Sequence, residues 1–205
     1  MHLLEAGVGE DRPLVLLLHG FPELAYSWRK VMPLLAEAGY HVVAPDQRGY
    51  GRTTGWDGRY DGDLRSFEVL RLVRDVVALV EALGRNHVDC LVAHDFGAIV
   101  APWCALTRPD LFRALVLMSV PFAGPPAVGA SQATGFDMQA ELAKLRPARK
   151  HYQWHYSERG AEHDFLEAPQ GLHDMLRAYY HMKSADWPGN EPFPLAGWTA
   201  DELAK

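Results

Sequence analysis

Apolar positions in the first half of the chain follow two patterns, short unbroken runs and longer stretches at helical spacing. Residues 14–18 (LVLLL) form an unbroken run of strand length between Pro13 and Gly20. A run that is apolar on both faces predicts a strand buried between two helix layers. Residues 28–38 read as a helix that Gly39 ends with a left-handed cap. Residues 41–44 (HVVA) are the next strand, and residues 46–65, rich in Gly, Asp and Arg, are a long loop. Ser66 is the candidate N-cap of a helix over residues 67–83, whose apolar positions Leu70, Val73, Val77 and Val80 recur at three- and four-residue steps. Residues 88–93 predict a further strand, 98–107 a helix and 114–120 another strand, while residues 2–5 read as the tail of a strand. Strand and helix alternating in this way predict an α/β fold, a parallel sheet with helices on both faces.

The texture changes after Pro121, where PFAGPPAVGASQATG is a loop and no strand-like run follows. Residues 136–145, 152–156 and 172–182 read as helices of a lid, which divides the chain into a core over 1–122 and an incomplete helical cap over 123–205. Thr199-x-x-Glu202 has the form of a capping box that opens a helix, three residues before the last residue, Lys205.

Composition narrows the partners. Twenty Lys and Arg against 26 Asp and Glu give a net charge of −6, which argues against nucleic acid or an anionic membrane surface. Hydrophobic residues at 48% supply ample material for a core. The two cysteines, Cys90 and Cys104, lie in apolar runs and read as buried free thiols of a reducing compartment. The first residues lack a basic segment followed by a long apolar one, so the expected location is cytoplasmic, with no membrane partner.

Three loops carry candidate chemistry, each after a strand. Ala93-His94-Asp95-Phe96-Gly97 places a carboxylate between small residues where a strand turns sharply into a helix, the form of a nucleophile elbow. A carboxylate in that slot attacks carbon to give an ester and needs no base to activate it. The competing reading makes Asp95 the N-cap of an ordinary helix. His19-Gly20-Phe21-Pro22-Glu23 follows the first buried strand, and the amides of Phe21 and Phe96 are candidates for the two halves of an oxyanion hole. Asp46-Gln47-Arg48-Gly49-Tyr50-Gly51-Arg52-Thr53 lacks the spacing of a dinucleotide fingerprint and reads as a Gly-rich loop with charges that can pair. His151 and His155 stand four apart, but Tyr152 occupies the position where a zinc protease helix carries Glu, so metal binding ranks low.

HGFPE, DQRGYGRT and AHDFG, in that order, closely resemble the epoxide hydrolase branch of the α/β-hydrolase superfamily. The resemblance implies that Asp95 is the alkylation nucleophile, that Phe21 and Phe96 hold the ester oxyanion, and that Phe21–Pro22 is a cis peptide. It also implies that Tyr152, a lid tyrosine directly before Gln153, donates a proton to the opening epoxide. The competing reading makes Tyr152, Trp154 and Tyr156 core aromatics of the lid, and Tyr179 and Tyr180 read as packing residues. Trp28, Trp154 and Tyr156 are candidate pocket walls for a small apolar epoxide, with no metal and no cofactor.

In this superfamily the acid and the histidine follow the nucleophile on loops after later strands. No strand-like segment follows Val120, so neither residue is assigned. A chain trimmed in this way is expected to expose an unpaired sheet edge open to self-association, and to form the ester without hydrolysing it. Haloalkane dehalogenase is the alternative reaction, but its members typically carry Trp after the Asp and a polar or Trp residue in the position of Phe21. A ligand-binding pseudoenzyme or inert fragment is the alternative outside catalysis.

Overall fold

The computed structural model describes residues 1–125 and 137–189. The chain divides into two compact units, residues 1–125 and 126–205. The capping box at Thr199 and the start of the helix expected at residue 136 lie outside the described residues.

The first unit is built on a five-stranded sheet of order β1-β3-β2-β4-β5. Its strands are β1 (Leu3–Ala6), β2 (Leu14–Leu18), β3 (His41–Pro45), β4 (Cys90–His94) and β5 (Leu115–Met118). The last four run parallel, whereas β1 pairs antiparallel with β3, so the sheet is mixed rather than wholly parallel. The central strand β2 is buried on both faces, as its unbroken apolar run predicts. Leu16 pairs with Val43 on one side and Leu91 on the other, and is 0% exposed.

The pleat of β2 divides two cores. Leu14, Leu16 and Leu18 face the cluster built with α2 (Val69–Ala82) and α3 (Gly97–Thr107). Val15 and Leu17 face the other side, with Ala25, Trp28 and Met32 from the segment that contains α1 (Val31–Glu37). Helices therefore cover both faces. Because β3 and β4 flank β2, the helices that follow β2 and β4 pack on opposite faces, while the loops after these two strands leave from neighbouring C-terminal ends.

Local differences from the sequence reading have physical causes. The helix expected over residues 28–38 begins as a 3-10 turn, Ala25–Lys30, and becomes α-helical only at Val31. Gly39 follows with φ +98°, the left-handed conformation expected of it. Ser66 is not an N-cap. Asp63 instead accepts the Arg65 amide and opens a short 3-10 turn, Leu64–Phe67, while Ser66 Oγ donates to the Asp63 carbonyl. The buried stripe of α2 is Leu72, Val73, Val76, Leu79 and Val80, and Leu70 points to solvent. Cys90 and Cys104 are both free; Cys104 is buried, which pushes its thiol up to about 12, but Cys90 is only half-buried.

In the second unit the described residues form α4 (Met138–Ala143), α5 (Tyr152–Tyr156), α6 (Ala161–Leu166) and α7 (Gly171–His181). Of these, α6 has no counterpart in the sequence reading. No helix among the described residues is long and apolar enough to cross a membrane.

Candidate active site

The turn between β4 and α3 holds Asp95 at φ +51°, one of two non-glycine residues at positive φ among the described residues. A backbone conformation this rarely adopted by an L-residue costs about 1–3 kcal/mol and persists only where surrounding contacts impose it. The contacts here are backbone contacts. The Asp95 amide donates to the Met118 carbonyl at 3.1 Å, and the Asp95 carbonyl accepts the Ala98 amide at 2.9 Å.

Small flanking residues are required by measurable closeness. A Cβ on Gly97 would stand 2.6 Å from the Leu18 carbonyl oxygen and 2.8 Å from that of His19. A Cβ on Gly20 would stand 2.5 Å from the Asp95 Cβ. The loop after β2 and the turn after β4 therefore touch, and glycine on each side permits it.

The helix-cap reading of Asp95 fails on geometry. The N-cap of α3 is Phe96, with helical backbone angles and no side-chain cap. The Asp95 carboxylate turns away from the helix, and its Oδ1 accepts the Phe21 amide at 3.0 Å. Phe21 leads into a cis peptide with Pro22, as the motif implied. The Phe96 amide lies at the first turn of α3, where amides lack intrahelical acceptors. The Phe21 amide is thus the backbone donor that meets the carboxylate, and it comes from the loop after β2. Among the described residues no imidazole hydrogen-bonds Asp95.

His19 supports this floor from below and is completely buried. Its Nδ1 lies 2.8 Å from the Gly20 carbonyl and its Nε2 accepts the Gln47 amide at 3.1 Å, an arrangement satisfied by a neutral ring protonated on Nδ1. Gln47 Nε2 donates in turn to the His19 carbonyl at 2.6 Å. Burial lowers the His19 pKa below its ordinary 6.5, against the opposing pull of Gly20 and the acids Asp46 and Glu23. The unfolded chain therefore takes up this proton before the folded one does. Stability from His19 is fully present above about pH 6.5 and falls as pH drops from there toward the lower folded value. Thermal unfolding followed from pH 7.5 downward is expected to show this loss near ~6.5, with a shallower slope in His19→Asn.

Asp46 anchors the neighbouring loop. Burial pushes its carboxyl up, but the Arg52 and Ala25 amides and the His2 ring together outweigh burial and hold it below its ordinary value. Arg48 reaches out of this loop to form a bidentate pair with Asp75 of α2, at 2.7 and 2.5 Å. This steadies the segment that carries Tyr50.

A family model described as alpha/beta hydrolase fold matches residues 13–169. The chain belongs to that family. Among its relatives are epoxide hydrolase 3 of Siraitia grosvenorii, 46% identical over 122 residues, and epoxide hydrolase A of Mycobacterium tuberculosis, 42% identical over 121 residues. These matches cover 60% and 59% of this chain but only 36% and 35% of the relatives. The structure of potato (Solanum tuberosum) epoxide hydrolase I superposes with a TM-score of 0.67 at 40% identity, covering 88% of this chain and 52% of the potato chain. The chain thus spans about a third of the length of these curated relatives and about half of that solved structure.

Two features of this α/β-hydrolase site escape a reading by motif. Glu23, the last residue of HGFPE, pairs with His94 at 3.1 Å across 71 positions of sequence and lies 3.4 Å from the Gly20 amide. The Tyr50 ring stands edge-on to His19 at 4.8 Å and lies 6.5 Å from Phe21 and 6.2 Å from Phe96. Burial and the nearby Asp95 charge push the Tyr50 phenol up to about 12, so it stays neutral. The apolar periodicity carries no sign of either; only the folded loops bring them to Asp95.

The other candidates each have their own local surroundings. Trp28 is 8% exposed inside the α1-side core, so its ring is committed to packing. Tyr152 and Trp154 on α5 are 44% and 52% exposed. Tyr156 meets Tyr152 at 5.7 Å and Phe165 at 5.2 Å. His151 caps α5 through its Nδ1, which accepts the Gln153 amide at 3.4 Å, while His155 faces Asp164 at 3.4 Å.

Proposed function

We propose that this chain opens epoxides through a covalent ester on Asp95. The observation that carries the reading is a carboxylate held at φ +51° on the elbow, with Oδ1 against the Phe21 amide rather than capping its helix. Asp95 attacks an epoxide carbon; the new bond is the ester C–O and the bond broken is the ring C–O. The alkoxide formed takes the proton of the Tyr152 phenol, which leaves a hydroxyalkyl ester. The Phe21 and Phe96 amides then stand ready for the oxyanion that appears when water adds to that ester. No metal or cofactor is needed to balance these steps. Trp154 and Tyr156, beside Tyr152 on α5, suit an apolar substituent on the epoxide.

Ester hydrolysis requires a base to activate water, and no described imidazole is bonded to Asp95. The 205-residue chain incubated with styrene oxide is therefore expected to gain the mass of one epoxide and to keep it. Peptide mapping should place the adduct on Asp95. Continuous diol formation without a lasting adduct would overturn the stalled ester, and neither adduct nor diol would overturn epoxide opening itself. Halide release from haloalkanes in place of epoxide opening would move the chain to the dehalogenase reaction.

A further inference from the structure

The second unit gathers tyrosines around one ammonium. Lys183, just beyond the end of α7, donates from Nζ to the Tyr179 hydroxyl at 2.6 Å and lies 4.1 Å from the centre of that ring. The same Nζ lies 5.4 Å from the centre of the Tyr152 ring. Tyr179 is held in turn by Tyr156, with which it shares a hydrogen bond. Burial, followed by the neighbouring Tyr179 and Tyr152, pushes the Tyr156 phenol up to about 12. The lysine is thus fixed by a tyrosine that is itself fixed, on the face of the phenol named above as proton donor.

We propose that Lys183 is a positioning residue that assists proton donation by Tyr152. The inference rests on the reading of Tyr152 as that donor. A cation over a neutral aromatic ring is attracted weakly, through the ring's quadrupole. The same cation near a phenolate meets a full opposite charge, and the attraction is larger. Lys183 therefore favours the state that follows proton transfer over the state that precedes it, the kind of difference that accelerates a step. The O–H bond of Tyr152 breaks, the proton goes to the epoxide-derived alkoxide, and the negative charge left on the phenol is what Lys183 offsets.

The titratable groups that face Tyr152 are few. On its own helix His151 stacks at 4.5 Å and Tyr156 lies at 5.7 Å. From the end of α7 come Lys183 and, through it, Tyr179. From α6, Asp164 reaches His155 instead. Among these contacts Lys183 supplies the ammonium and no carboxylate competes at the Tyr152 ring.

The test is an alkaline titration of tyrosinate absorbance in the 205-residue chain. Subtracting the curve of Tyr152→Phe isolates the Tyr152 component, and the same subtraction in a Lys183→Met background isolates it without the ammonium. The component is expected to move to higher pH in Lys183→Met by roughly half a unit to one unit. Lys183→Arg, which keeps the charge, is expected to restore it. An unmoved component in Lys183→Met, or an equal displacement in Lys183→Arg, would overturn the proposal. The titration involves no epoxide, so its result stands apart from whether Asp95 is alkylated. Where alkylation occurs, Lys183→Met should also slow adduct formation by roughly three- to tenfold.

Discussion

Asp95→Asn is expected to abolish the covalent adduct and to slow epoxide opening by a factor on the order of 10⁴ or more. A carboxamide oxygen has lost the charge that lets Asp95 attack carbon without a base. Asparagine is the informative replacement for two structural reasons. Its side-chain oxygen can still accept the Phe21 amide that Oδ1 accepts now, at 3.0 Å. It also tolerates the left-handed region better than other residues, which matters at φ +51°. The thermal midpoint should therefore stay close to that of the parent while chemistry disappears. Asp95→Ala makes the complementary point: a ligand that binds and responds unchanged in that variant would favour a binding module over an enzyme. Intact mass after exposure to styrene oxide reads the first variant directly. An adduct of undiminished yield in Asp95→Asn would place the nucleophile elsewhere and remove the basis of the proposed reaction.

The elements legible in the sequence are those whose cause is local. LVLLL is a strand because five consecutive apolar residues need burial on both faces, and the strand found has those bounds. The elbow is legible because a sharp strand-to-helix turn excludes side chains beside the nucleophile, and Ala93 and Gly97 answer that demand. The cap of the segment before α2 was less determined. Asp63 and Ser66 are three residues apart, both can accept an amide, and the one with the carboxylate took the role. The phase of the α2 stripe depends on where the helix begins. Starting at Val69 without a side-chain cap turns Leu70 outward and Leu72 and Val76 inward. What remains invisible is tertiary. Residue types alone do not say that Glu23 meets His94, that the Tyr50 ring lies near both Phe21 and Phe96, or that β1 pairs antiparallel with β3. The first two exist only once the loops after β2, β3 and β4 arrive at one end of the sheet, and the third only once the first strand reaches the edge of β3.

Gly97→Ala tests that convergence, because a single methyl group strikes the place where the loops meet. The added carbon would lie 2.6 Å from the Leu18 carbonyl oxygen, 2.8 Å from the His19 carbonyl oxygen and 2.9 Å from the Leu18 carbonyl carbon. All three are backbone atoms, two of them at Leu18, the last residue of the central strand buried on both faces, and one at His19 directly after it. None can swing aside as a side-chain end would, so either α3 retreats from β2 or the end of β2 distorts. Overpacking of this kind costs about 1–3 kcal/mol and occasionally more, and rigid backbone on the receiving side puts this site at the upper end, about 3 kcal/mol. Against a typical domain stability of about 5–15 kcal/mol that is a large fraction. Alanine's better helix propensity, worth up to about 1 kcal/mol in a helix interior, does not offset it. Gly160→Ala is the control, since a Cβ there meets nothing within 4 Å. Chemical denaturation should show a large drop in midpoint for Gly97→Ala and almost none for Gly160→Ala. The retreat of α3 would also carry the Phe96 amide and Asp95 away from Phe21, so adduct formation should fall even under conditions where the variant remains folded. A Gly97→Ala chain with parental stability and parental alkylation would show that the loops do not meet as closely as these distances require.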